Sequence, residues 1–219
     1  YGSLPTCQAV VGLNEHQPHR QAVGTITINE QSYPVSLTIP GKYNLENAAA
    51  AALAAMQVGI DPARAIASLS DFRSTTRRFE FKGEKNGVLY YDDYAHHPME
   101  IAAVLAALKE SFTDKRVVVA FQPHTFSRTK ELFNQFIITL ARAPELVLLD
   151  IFASARENNH GEITSDHLVK AIQQHNSQLQ VTNLHSISNL ATYCQSALSA
   201  DDLLITLGAG DIYQVHDLI

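Results

Sequence analysis

Cysteine is scarce: Cys7 and Cys194 are the only two in 219 residues. They lie far apart with no CxxC pair, which excludes a disulfide framework and a cysteine-built zinc site and suits a reducing compartment. Long apolar runs are lacking as well. No stretch approaches the roughly 20 residues that a bilayer-spanning helix needs, and the first residues do not show the basic-then-apolar order of a secretory signal. A cytoplasmic protein without membrane insertion is expected. Clustered positive charge is also absent, because the 16 Lys and Arg are scattered and the net charge is -6, so nucleic acid is not an expected partner. No GxxxxGKS or GxxxxGKT phosphate loop occurs anywhere. The chain opens on Tyr1 within strand-and-turn sequence, which reads as part of a longer protein.

What is present fits one large or two modest globular domains, with 46% hydrophobic and 17% charged residues. Between residues 21 and 39 two alternating runs, AVGTITI and SYPVSLTI, flank Asn29-Glu30-Gln31 and predict an antiparallel hairpin that Pro40-Gly41 ends. From Asn44 the Ala-rich run NLENAAAAALAAMQVGI predicts a helix of roughly 14 residues, closely packed on its Ala face, that stops at Gly59 and Pro62. A shorter helix follows from Asp61-Pro62 to about Leu69. The polar stretch from Arg73 marks a domain boundary, giving residues 1–73 and 74–219.

Beyond the boundary FEFKGEKNGVLYY predicts a second hairpin with its turn at Lys85-Asn86-Gly87. Short, almost wholly apolar strands then alternate with helices: RVVVAF, ELVLLDIF, QLQVTNL and DLLITLG. Strands that have lost polar alternation are buried on both faces, so the expected fold class is α/β, a doubly wound Rossmann-like domain with a mostly parallel sheet. Reactive groups in such sheets gather beyond the carboxyl ends of the strands, here after Tyr91, Phe121, Asp150 and Leu207.

The densest group of chemistry-bearing residues follows Tyr91: Asp92-Asp93-Tyr94-Ala95-His96-His97, with Pro98 opening a helix. Neighbouring side chains at a strand end point to opposite faces, so one acid and one imidazole should face the crevice, and Asp93 and His96 are the choices. The plainer alternative is that the acids cap the next helix and the histidines satisfy them. A zinc site built from His96, His97, His124 and His160 is a rival, without the i, i+4 spacing of HExxH. After Phe121, His124 and Arg128 stand at a helix start, where a guanidinium fork and free N–H groups suit a small carboxylate. The alternative there is a surface Arg128–Glu131 pair. Arg156 and Glu157 take no firm role. Gly208-Ala209-Gly210 has only part of a dinucleotide fingerprint and reads as a tight turn. Asn44 and Asn47, three residues apart, put two carboxamides on one side of a helix start and suit the edge of a purine, although Asn44 could be the N-cap.

Together GKYNLENAAAAAL, RRFEFKG, DDYAHHPMEI, FQPHTFSRTKEL and LITLGAGDI occur in the order and approximate spacing of the Mur ligases, and the chain resembles that family over most of its length. The resemblance implies the end of a central ATPase domain up to residue 73 and the family's C-terminal domain after it. It also implies an ATP- and magnesium-dependent ligase of peptidoglycan synthesis that joins L-alanine to UDP-N-acetylmuramate. In that chemistry ATP phosphorylates the muramyl carboxylate, the L-alanine amine attacks, and phosphate leaves. The related murein peptide recycling ligase and a non-catalytic binding module are the alternatives. Matched to the family's motifs, Asn44, Asn47, Arg78 and Asp93 would serve the nucleotide. Tyr94, His96, His124 and Arg128 would surround the amino acid, with Arg78 and His96 closest to the chemistry. The family places its phosphate loop upstream, so this chain alone should not turn over. Three departures stand out: Tyr43 where the family has His, Thr125 where many members have Arg, and Ala155-Arg156-Glu157 in place of Ala-Gly-Glu. With Thr125 uncharged, carboxylate recognition falls more heavily on Arg128.

Overall fold

The computed structural model describes residues 1–14, 21–154, 157 and 162–219. The described residues form two compact units, Tyr1–Thr75 with Ala106–Thr113, and Thr76–Leu105 with Asp114–Ile219.

The first unit holds an antiparallel sheet ordered β1 (Ala9–Leu13), β2 (Ala22–Ile28) and β3 (Gln31–Leu37). The β2–β3 turn is two residues long, Asn29 and Glu30, both with positive φ, and Gln31 already pairs with Ile28. Two consecutive left-handed residues suit the right-handed twist of a tight hairpin. Helix α1 (Lys42–Gln57) lays Leu45, Ala48, Ala49 and Ala52 into the core with Ile26 and Val11, and α2 (Pro62–Leu69) adds Ile66. The small Ala side chains permit a close approach. Helix α1 begins two residues before the expected start, so Asn44 is not its N-cap. It lies in the first turn and donates from Nδ2 to the Pro40 carbonyl at 2.7 Å.

The second unit carries a six-stranded sheet in the order β4 (Glu80–Lys85), β5 (Val88–Asp93), β9 (Asp202–Leu207), β6 (Arg116–Phe121), β7 (Glu145–Leu149) and β8 (Val181–His185). Only β4, at one edge, runs antiparallel. Burial on both faces explains the unbroken apolar runs. One face, with Tyr90, Val118, Ala120, Val147 and Leu204, packs on α7 (Ile187–Ala197) and a 3-10 helix, Ile212–Asp217. On the other face Phe121 meets Phe136 of α5 (Phe133–Leu140), their ring centroids 5.6 Å apart. Helices α4 (Phe126–Glu131) and α6 (Ser165–His175) complete the unit with the first part of α3 (Pro98–Ser111), whose residues from Ala106 on belong to the first unit. The helix expected after FQPH is interrupted at Leu132, leaving α4 and α5 as separate segments.

Strand order places the site. After β5 the chain passes over the position of β9 to form β6, then proceeds outward through β7 and β8. The loops leaving β5 and β6 therefore flank the exit of β9, a topological switch point.

Candidate active site

Three loops meet at that switch point. Asp93 ends β5, Tyr94 and His96 follow it, and α3 begins at Pro98. Glu100, in the first turn of α3, accepts the backbone N–H groups of His96 and His97, both at 3.1 Å. Those donors have no partner within the helix, and a carboxylate is favoured at its positive end. Helix capping therefore falls to Glu100, and neither Asp92 nor Asp93 performs it.

Both aspartates are buried, 1% and 2% exposed, rather than divided between a crevice and a core. Asp92 accepts from Arg77 Nε at 2.9 Å and from Thr206 Oγ1 at 2.6 Å. Asp93 accepts the backbone N–H groups of Phe79 at 2.8 Å and Ala95 at 2.7 Å. Burial pushes the Asp93 carboxyl up to about 6, against the opposing pull of those N–H groups and of Arg78. Its visible work is to fasten the segment around Arg78 to the exit of β5.

Tyr94, His96, His124 and Arg128 come together in one chain of contacts. The Tyr94 ring stands edge-on to the His96 ring at 5.3 Å, and the His96 and His124 rings are 6.1 Å apart. His124 stacks on Phe152 at 5.6 Å with an 11° interplanar angle, and Arg128 Nη1 lies 3.3 Å from His124 Nδ1. A guanidinium only donates, so His124 Nδ1 is the acceptor and its proton sits on Nε2. Burial and the neighbouring Arg128 and His96 hold the His124 pKa below its ordinary value. The His96 ring is turned the other way: its Nδ1 faces the Tyr94 carbonyl at 3.0 Å and so carries a proton. Arg128 thus turns to His124.

Thr125 occupies a left-handed backbone conformation (φ 67), donates its N–H to the Phe152 carbonyl at 2.9 Å, and accepts Thr129 Oγ1 at 2.7 Å. The Glu157 carboxylate accepts the N–H groups of Phe126 at 2.9 Å and Ser127 at 3.2 Å, together with the Ser127 hydroxyl. That hydroxyl bond first, then the backbone donors, lowers its pKa. Arg156 and His160 lie outside the described residues. Among the described residues no group of three or more His, Cys, Asp or Glu side chains is arranged to hold a metal ion.

Of the residues matched to the nucleotide, Arg78 and Asn47 are exposed, while Asn44 and Asp93 are buried and engaged with backbone. Sequence reasoning passed over Arg77, Gln122 and Phe152. Gln122 donates to Asp211 Oδ1 at 2.8 Å and accepts the Ile212 N–H at 3.1 Å, which ties the exit of β6 to the turn after β9. That turn needs glycine: at Gly210 a Cβ would strike Gln122 Oε1 and come within 2.7 Å of the Phe152 ring. The adjacent arginines of RRFEF were the available signal for Arg77, and the pattern alone did not rank one above the other.

The sequence pattern of the family described as "Mur ligase, glutamate ligase domain" matches residues 77–210. The chain belongs to the Mur ligase family. Similar curated relatives are the UDP-N-acetylmuramate--L-alanine ligases of Desulfitobacterium hafniense, 43% identical over 82% of this chain and 39% of the relative, and of Lawsonia intracellularis, 46% identical over 81% and 39%. The chain thus spans about two fifths of the length of these relatives. Among solved structures, the UDP-N-acetylmuramate-alanine ligase of Thermotoga maritima matches with a TM-score of 0.79 and 22% identity, covering 98% of this chain and 45% of that one. At that identity the likeness bears on the fold, and it agrees with the expected mostly parallel α/β architecture of Mur ligases. No described helix is long and apolar enough to cross a membrane.

Proposed function

We propose that the chain is the C-terminal part of an ATP-dependent Mur ligase that joins L-alanine to UDP-N-acetylmuramate in peptidoglycan precursor synthesis. The observation that carries this reading is the convergence of Tyr94, His96, His124 and Arg128, drawn from two loops, at the switch point of a family-matched domain. The names of relatives at 43% and 46% identity support the alanine-adding reaction over the peptide-recycling one.

The roles follow from donor chemistry. Arg128 binds the carboxylate of the amino acid, its fork supplying charge-assisted bonds. His124, neutral and with its proton on Nε2, adds a directed donor beside it. His96, in its neutral form with Nε2 as acceptor, takes a proton from the amine as it attacks the activated carboxyl group. Arg78, exposed beyond the buried Asp93 anchor, faces phosphoryl oxygens, where spread negative charge must be met by cations. Asn47 presents a carboxamide to the base of the nucleotide, while Asn44 and Asp93 act indirectly by holding backbone. Magnesium would accompany the nucleotide phosphates, and this domain would close over the reacting carboxyl and exclude water from it. UDP-N-acetylmuramate, L-alanine, ATP and a cytoplasmic setting belong to this proposal.

The test is phosphate release by the full-length protein with ATP, magnesium and UDP-N-acetylmuramate, comparing L-alanine, glycine, L-serine and a peptide. Release that depends on L-alanine supports the reading. Stimulation by the peptide alone transfers it to the recycling ligase.

A further inference from the structure

We propose that Arg77 is a positioning residue that sets the geometry of the amino-acid subsite through Tyr94 without reaching the substrate. This deepens the ligase reading and rests on it for its kinetic consequences. The guanidinium sits where the exits of β5 and β9 meet. Its Nε donates to the buried Asp92 at 2.9 Å, Nη1 to the Gly210 carbonyl at 3.2 Å, and Nη2 to the Gly208 carbonyl. Its guanidinium carbon also lies over two rings, 5.0 Å from the Tyr94 centroid and 4.5 Å from the Tyr213 centroid. The backbone of the same residue is held in the left-handed region (φ 60), donates to Glu80 Oε2 at 2.7 Å, and accepts the Tyr94 N–H at 2.8 Å. Tyr94 is therefore gripped twice by Arg77, at its amide and at its ring.

Tyr94 in turn grips His96 twice, through the edge-on ring contact and through its carbonyl. His96 faces His124, which accepts from Arg128. The relative placement of these residues depends on a planar cation that contacts only the first of them. The chemistry requires arginine. A lysine ammonium could still neutralise Asp92, but it lacks the planar fork that donates to Asp92 and two carbonyls at once while lying over two rings. The network has a buried back wall as well, since Thr206 donates to Asp92 and has His216 Nε2 at 2.9 Å, so Asp92 is itself fixed.

Arg77→Lys keeps a cation beside Asp92 and removes the fork and the ring contacts. In this chain, the side-chain NMR signals of His96 and His124 should move together with those of Tyr94 and Tyr213, while the far-UV circular dichroism stays that of the parent. In the full-length protein the KM for L-alanine should rise roughly tenfold, with the KM for ATP changed by less than about twofold. Tyr213→Leu, which removes one ring and leaves the Arg77–Asp92 pair, should move the same signals less, and it decides the matter if Arg77→Lys does not fold. The proposal is overturned if the Tyr94 and Tyr213 signals shift while His96 and His124 stay in place, or if the KM for both substrates rises in step. A parent enzyme with no L-alanine-dependent turnover would count against the ligase reading alone, because the NMR comparison judges Arg77 independently of it.

Discussion

At the scale of single residues, the reading turns on which groups touch substrate and which hold those that do. Arg128→Ala should raise the KM for L-alanine by about tenfold or more and leave that for ATP nearly unchanged, because a charge-assisted contact is worth ~1.5 to 3 kcal/mol. Steady-state kinetics with each substrate varied in turn checks this, and equal effects on both would remove Arg128 from the subsite. Asp93 and His216 give a second prediction, in which the signs oppose. Burial lifts Asp93 to about 6 from 3.8, so the native state keeps a proton that the unfolded chain has lost. Its contribution to stability is full at low pH and fades as pH rises through 6. Burial lowers His216 from 6.5 to about 4, so its contribution is full above pH 6.5 and fades as pH falls through 4. At ~1.4 kcal/mol per pKa unit each amounts to about 3 kcal/mol, and the two offset in the shared window. Relative to the parent, Asp93→Asn should make stability rise with pH across that window and His216→Gln should make it fall, as read by urea unfolding. Curves parallel to the parent for both variants would refute the offset. Pattern alone singled out Asp93, His96, His124 and Arg128, while Tyr94 came with the family resemblance. Pattern did not reveal that Asp93 is buried, because exposure at a strand end depends on what packs there.

Elements were legible where a local rule dominates. The apolar runs RVVVAF and DLLITL became β6 and β9, and Asp61-Pro62 opened α2 with the Asp61 side chain accepting the Arg64 N–H. Boundaries shifted where tertiary contacts decide. Helix α1 starts at Lys42, and β7 ends at Leu149 rather than running through Phe152, whose backbone instead bonds the β6 exit at Pro123 and Thr125. The tight turn expected at Gly208-Ala209-Gly210 is present, but its reason is long-range: Gln122 and Phe152 occupy the space a side chain would need at Gly210. Gly210→Ala should therefore destabilise the second unit by about 1 to 3 kcal/mol, the usual cost of overpacking, and disturb the stacking of Phe152 on His124. Thermal unfolding measures the first effect and L-alanine KM the second. An unchanged melting temperature would show that the turn has room.

At the scale of the whole molecule, the order β4-β5-β9-β6-β7-β8 turns two separate sequence motifs into one site, because the crossover past β9 sets the exits of β5 and β6 on either side of it. Strand order is not written in any single segment, so the pairing of the DDYAHH and FQPH loops came from the family resemblance and from the fold rather than from spacing. This chain corresponds to about two fifths of the length of the matched relatives. The most direct measurement is phosphate release by the full-length protein with UDP-N-acetylmuramate, ATP and magnesium, with and without L-alanine. The account predicts release that requires L-alanine and forms the corresponding amide product. Release that is indifferent to L-alanine, or absent in a folded protein that binds all three substrates, would contradict it.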